Sequence, residues 1–247
     1  MSTEHEAGRE GGELDLLSGR TRSARLLDGL SDRERAAVTH RGRRLVIRGA
    51  AGTGKTWLIE HRFRWLVGQG TRPERLGVLV PSSGRALALR ERLETGLELA
   101  YDELHVLTPP ELAGLILARA GAGSDPLATA LSAGDRLAML VERIDELSLQ
   151  HHDFGGRPNL LLAGFVRRID RLKAELVDPD AYAAWATALS DDARETAVER
   201  EFSEVYRTHE RMLTAAGTRD AGDLVSDAIS LTRQQPEPTH AFAHLLI

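Results

Sequence analysis

Residues 45–56 read Leu-Val-Ile-Arg-Gly-Ala-Ala-Gly-Thr-Gly-Lys-Thr. Leu45, Val46 and Ile47 form a short apolar run, read as a buried strand, and Gly49-x-x-x-x-Gly54-Lys55-Thr56 follows at the Walker A spacing. The chemistry explains the spacing. Glycines let the backbone turn its N–H groups onto a phosphate, Lys55 reaches the outer phosphates, and the Thr56 hydroxyl is a ligand for Mg²⁺. A helical pattern carried by Leu58, Ile59, Phe63 and Leu66 leaves the loop. Strand, loop and helix therefore agree on a site for a nucleoside triphosphate, with the backbone of Gly49, Ala50, Ala51, Gly52, Thr53 and Gly54 as the phosphate shell. The bland alternative is a glycine-rich turn that binds nothing.

Working outward, Lys55 and Lys173 are the chain's two lysines among 32 basic side chains, so one of them stands where phosphate chemistry asks for an ammonium. The chain's 247 residues are 42% hydrophobic, enough for a core and too many for global disorder. There is no cysteine, which excludes disulfides and thiolate metal sites and fits a reducing cytoplasm. No apolar run reaches the length of a membrane span, and the polar N-terminus lacks a secretory pattern. A net charge of −5 argues against wholesale coating of nucleic acid, although a local basic groove is compatible with it.

In chain order, residues 1–22 read as a disordered leader and 23–40 as a lead-in helix with Ser31-Asp32 as an internal N-cap. Strands are expected at Leu76–Val80 and Leu104–Leu107, with a helix from Arg85 to Leu93 after Pro81-Ser82-Ser83-Gly84. From 109 to 235 the periodicity is helical almost throughout, and Phe242–Ile247 is strand-like. The reading is α/β: a P-loop parallel sheet (residues 23–108), an inserted helical subdomain (109–235) and a return strand (236–247). A P-loop hydrolase needs a carboxylate at a neighbouring strand end to hold Mg²⁺. Neither Leu76–Val80 nor Leu104–Leu107 delivers one, and Leu245-Leu246-Ile247 stops where an apolar-apolar-Asp-Glu sequence is expected next. Helical Asp220 or Asp223 is the less natural substitute.

The order of these segments resembles the N-terminal portion of the UvrD/Rep-type superfamily 1 DNA helicases. Leu30-Ser31-Asp32-Arg33-Glu34-Arg35-Ala36-Ala37-Val38 is similar to the family's Q motif, Leu-Asn-x-x-Gln-x-x-Ala-Val, with Glu34 in place of glutamine. An ionised glutamate only accepts where glutamine also donates, which puts adenine selectivity in question. Trp57 stands where the family often carries an arginine over the base, and a tryptophan face stacks as well. Val80–Leu93 resembles motif Ia, which implies that Ser82, Ser83 and Arg85 meet a single-stranded DNA backbone. Thr108 takes the place of the motif Ib threonine but is followed by Pro-Pro-Glu. Ile169–Leu176 with Asp178-Pro179 and Tyr182, then Tyr206 and Asp220-x-x-Asp223-Leu224, resemble the segments that precede the family's Walker B strand.

The resemblance implies a partial RecA-like sheet. It implies ATP and Mg²⁺ as cofactors, held through Lys55 and Thr56, with Glu34 and Trp57 on the base. Single-stranded DNA is the implied partner, in an ATP-dependent 3′–5′ helicase or translocase. A second RecA-like half, in a longer chain or a partner, would complete it, so this chain alone is expected to hydrolyse ATP poorly or not at all. The competing readings are a non-motor P-loop protein (a small kinase or nucleotide-sensing regulator) and a degraded helicase fragment serving as a binding module. His151-His152 reads as a loop pair rather than a metal site, since no third ligand stands at a useful spacing. Arg41-Arg43-Arg44 reads as a solvated turn.

Overall fold

The computed structural model describes residues 26–97, 100–121, 126–153, 155–189, 194–235 and 242–247. It is a mixed α/β protein with a small parallel sheet and many helices, as expected from sequence. The described residues fall into two compact units, one running to Pro109 and taking in 242–247, the other running from Pro110 to 235.

In the first unit, β1 (Leu76–Leu79) lies between β2 (His105–Leu107) and β5 (His244–Leu246), all parallel. Gly77 stands opposite His105 on one side and Leu245 on the other. A Cβ at Gly77 would lie 3.0 Å from the Leu245 side chain and 3.2 Å from Phe242, so the missing side chain is what lets the last strand close onto β1. Three helices flank this sheet in sequence: α1 (Asp32–Val38), α2 (Lys55–Gly68) and α3 (Ser83–Thr95). They bury Val38, Phe63, Leu66, Leu89 and Leu93 against Leu76, Val78 and Val106. Arginines tie the helices together through backbone carbonyls, which need donors wherever water is excluded. Arg62 on α2 donates to Ala37 O (3.2 Å), Val38 O (2.9 Å) and His40 O (3.0 Å) at the end of α1. Arg64 donates to Arg92 O on α3 at 2.8 Å, and Arg92 in turn pairs with the buried Glu60 at 3.0 Å.

Two expectations need correction. Leu45-Val46-Ile47 forms no strand: the run has no regular secondary structure and is exposed, Val46 by 79%. A strand exists only through a ladder partner. Both flanks of the central β1 are taken by β2 and β5, and none of the described strands pairs with 45–47. The lead-in helix is shorter than 23–40: residues 26–29 form a turn, α1 covers 32–38, and residues up to 25 lie outside those described.

The second unit is built from α4 (Pro109–Arg119), α5 (Ala133–Glu142), α6 (Pro158–Ala174), α7 (Pro179–Thr187), α8 (Arg194–Ala215) and α9 (Ala221–Gln234). A two-stranded parallel ladder joins β3 (Ala130–Leu131) to β4 (Arg219–Asp220). Its main core packs Leu140, Leu162, Phe165, Ile169, Phe202 and Tyr206. Beside that core Lys173 is buried, with Nζ 2.8 Å from Asp220, 2.6 Å from Asp223 and 2.8 Å from Glu210. Arg136 bridges Asp220 (3.0 Å) and Asp170 (2.6 Å). Burial pushes the Asp220 carboxyl up, but Lys173 and then Arg136 pull it further down, so it lies below the ordinary aspartate value. Asp223 lies above it, through burial and the neighbouring Asp220 charge. The Lys173 ammonium is stabilised: its burial is outweighed by Asp220 and Glu210.

Candidate nucleotide-binding site

The loop before α2 has the backbone its sequence asks for. Gly52 and Gly54 are left-handed, at φ +77° and +82°, conformations that a side chain would strain. Gly54 caps α2 with no side-chain help, leaving the first-turn N–H groups, Lys55 and Thr56 included, at the positive end of the helix dipole. A Cβ at Gly49 would fall 2.5 Å from the Thr53 hydroxyl, and that hydroxyl donates to Ala50 O at 2.9 Å, so the two flanks of the loop are drawn together. Lys55 bends back over the loop, with Nζ donating to Gly49 O (2.8 Å) and Ala50 O (2.6 Å). Two carbonyls use two of its three donors. Gly49, Ala50, Ala51, Gly52, Thr53, Gly54 and Thr56 are all exposed.

This donor set fits a phosphate chain with its cation. The amides supply a positive cradle, the ammonium stands at its mouth, and the exposed Thr56 hydroxyl is a neutral oxygen of the kind Mg²⁺ accepts.

Trp57, one residue further, is 40% exposed and packs against His61, with ring centroids 3.8 Å apart and the rings tilted by 41°. His61 Nδ1 lies 2.9 Å from Trp57 O, which fixes the pair on the first two turns of α2. Glu34 is engaged locally. Its Oε2 accepts from Ser31 N (2.9 Å) and Ser31 Oγ (2.6 Å), completing a capping box at the start of α1. These bonds hold its carboxyl below the ordinary glutamate value. The Ser-x-x-Glu spacing announces such a box. Sequence reasoning weighed Glu34 against adenine and missed that signal.

Ser82 is the N-cap of α3 and makes no capping bond with its side chain. Ser82, Ser83 and Arg85 are all exposed at that helix start. Among the described residues none of the three forms a side-chain hydrogen bond or ion pair. Thr108, by contrast, is buried. His152 is a structural residue: Nδ1 lies 2.7 Å from Glu201, and its ring meets Phe165 edge-on at 4.9 Å. Arg41, Arg43 and Arg44 stay exposed. Asp220 and Asp223 are held in the buried cluster around Lys173.

The family model of the UvrD/REP helicase N-terminal domain matches residues 30–245. The chain belongs to this family. "ATP-dependent DNA helicase UvrD1" of Mycobacterium tuberculosis is 29% identical over 234 residues, which is 90% of this chain and 28% of that protein. "ATP-dependent DNA helicase PcrA" of Bacillus subtilis is 24% identical over 218 residues, 87% of this chain and 28% of its own length. The chain thus spans less than a third of the relatives it matches. Among its described residues no helix is long and apolar enough to cross a membrane.

Proposed function

We propose that this chain is the ATP-binding portion of an ATP-dependent DNA helicase or translocase of 3′–5′ type acting on single-stranded DNA, working in the cytoplasm. One observation carries the reading. The Lys55 ammonium rests on the carbonyls of a loop whose glycines are already left-handed, so a phosphate chain has only to replace two weak acceptors. Lys55 then holds the outer phosphates, and the amides of residues 50–54 line the inner ones. Thr56 would hold Mg²⁺, which when bound neutralises charge on the phosphate oxygens. Trp57, backed by His61, offers its face to the base. Glu34 Oε1, which accepts no hydrogen bond from the described residues, is available to the exocyclic amine of adenine. Ser82, Ser83 and Arg85 meet the DNA backbone at the start of α3, where hydroxyls, helix dipole and guanidinium converge. Completing the clamp around ATP falls to a second RecA-like half.

Titration of a fluorescent ATP analogue with Mg²⁺ tests the site. Lys55→Ala removes a charged hydrogen-bond donor worth about 1.5–3 kcal/mol, so affinity should fall about 10- to 150-fold. Unchanged binding would refute the site. The chain alone should turn ATP over slowly or not at all, and DNA-stimulated hydrolysis abolished by Lys55→Ala would overturn that expectation. Ser83→Ala with Arg85→Ala should weaken binding of a dT20 oligonucleotide without altering nucleotide affinity.

A further inference from the structure

Beside the phosphate loop, the first unit carries two hydrogen-bond acceptors with nothing to accept. On α1, Glu34 spends Oε2 on Ser31 N and Ser31 Oγ, and among the described residues nothing donates to Oε1. On α2, His61 directs Nδ1 at Trp57 O, 2.9 Å away. A carbonyl oxygen only accepts, so Nδ1 carries the proton, and Nε2 of the neutral ring is left as a bare acceptor. None of the described residues donates to it either.

The fold brings the two together. Val38, buried in the core with Phe63, marks the side of α1 that faces inward, and Glu34 lies four residues before it on that side. Arg62, next to His61 in the chain, donates to Ala37 O and Val38 O at the end of α1, which fixes this part of α2 against α1. The Ser31 hydrogen bonds hold the Glu34 carboxyl below its ordinary value, and His61 adds to that pull across the gap between the helices. Trp57 packs against His61 with ring centroids 3.8 Å apart. Indole, imidazole and carboxylate therefore gather at one corner. His61 stands about 9 Å along the helix axis from Lys55, within reach of the base of a nucleotide whose phosphates sit on the loop.

We infer that this corner reads the base through Glu34 and His61, and that the site binds guanine nucleoside triphosphates at least as tightly as adenine ones. Two neighbouring acceptors ask for two donors. Guanine offers N1–H and N2–H₂ side by side on one edge, whereas adenine offers a single donor group, N6–H₂, flanked by acceptor nitrogens. Against adenine, one of the two protein acceptors faces a ring nitrogen and gives up its water without replacement. A glutamine at position 34 would supply donor and acceptor together and match adenine instead. The inference rests on the proposed function for the place of the nucleotide, and adds which base the site takes.

The test compares ribose-labelled fluorescent ATP and GTP, each with Mg²⁺ at pH 8, on the whole chain, with thermal melts to confirm that variants fold. GTP should bind at least as tightly as ATP. Glu34→Gln keeps the capping box, which glutamine also completes, and should reverse the order to favour ATP by about tenfold or more. His61→Phe keeps a ring against Trp57 and removes the acceptor. It should lower the ratio of GTP to ATP affinity by about 2- to 12-fold, the worth of one neutral hydrogen bond. Inosine triphosphate, which lacks the N2 amine, should compete more weakly than GTP by a similar factor. Lys55→Ala should weaken both nucleotides alike. If both bind through Lys55 but ATP binds the tighter of the two, the nucleotide site stands and this inference falls. It falls equally if Glu34→Gln and His61→Phe leave the ratio unchanged. If neither nucleotide binds, or Lys55→Ala alters neither, the site itself is refuted and the base reading with it.

Discussion

Lys55 and Lys173 sit in opposite circumstances. Lys55 stands at an open loop and touches two backbone carbonyls, each a neutral oxygen. Lys173 is almost wholly buried and touches three carboxylates, from Glu210, Asp220 and Asp223. An ammonium is a compact charge with three donors; in one place its partners are exchangeable, and in the other every direction is spent on a fixed anion. His209, Glu210 and Asp220 are close enough together to hold a metal ion, yet the ammonium already spans Glu210 and Asp220. The contrast teaches how burial divides one side chain between ligand binding and cross-linking: the open lysine can trade oxygens with a ligand, and the closed one holds three segments together.

The comparison breaks most visibly at Lys173. Lys173→Met should cost about 3–5 kcal/mol, because the buried Asp220 and the half-buried Glu210 and Asp223 would lose their shared cation; urea unfolding followed by circular dichroism measures it. A cost under about 1 kcal/mol would mean that the charges there are not held tightly. Arg62→Ala comes next. It strips donors from three carbonyls at the end of α1, for about 1.5–3 kcal/mol, and should loosen the first unit in hydrogen exchange.

Acid sharpens the comparison further. The Asp220 and Glu210 carboxyls lie below their ordinary values, each pushed up by burial and pulled down further, Asp220 mainly by Lys173 and Glu210 by His209 and Lys173. Their stabilisation is therefore full above about pH 4 and is lost as pH falls through their lowered folded values. Asp223, raised, works in the opposite direction and offsets part of this. The Asp220 and Glu210 contribution should be visible as a melting temperature that drops below about pH 4 and drops less in Lys173→Met. The smallest effect on stability belongs to Lys55→Ala, within about 0.5 kcal/mol for a half-buried side chain held only by exchangeable carbonyls, even as nucleotide binding collapses.

The sequence was legible where a local rule suffices. The P-loop is such a case, since glycine conformation, helix start and lysine all lie within a few residues. The return strand at 244–246 and the alternation of strand and helix before Pro109 were legible for the same reason. The run 45–47 misled because apolar character marks a strand only when a neighbour supplies the ladder, and that neighbour is remote in the chain. Lys173 and Asp220-x-x-Asp223 were each visible as segments, but their meeting depends on how α6 and α9 pack. His151-His152 reads as a loop pair, and what the sequence does not show is the anchor of His152, Glu201, 49 residues away.

That anchor has a kinetic consequence. Glu201, on α8, accepts from the backbone N–H groups of Gln150, His151 and His152 as well as from the His152 ring. A stretch without helix or strand is thus secured by consecutive amides that share one carboxylate. None of them can be released singly without leaving the anion less satisfied. These amide protons should therefore exchange with solvent together and slowly, on the timescale of the helices around them rather than that of a surface loop.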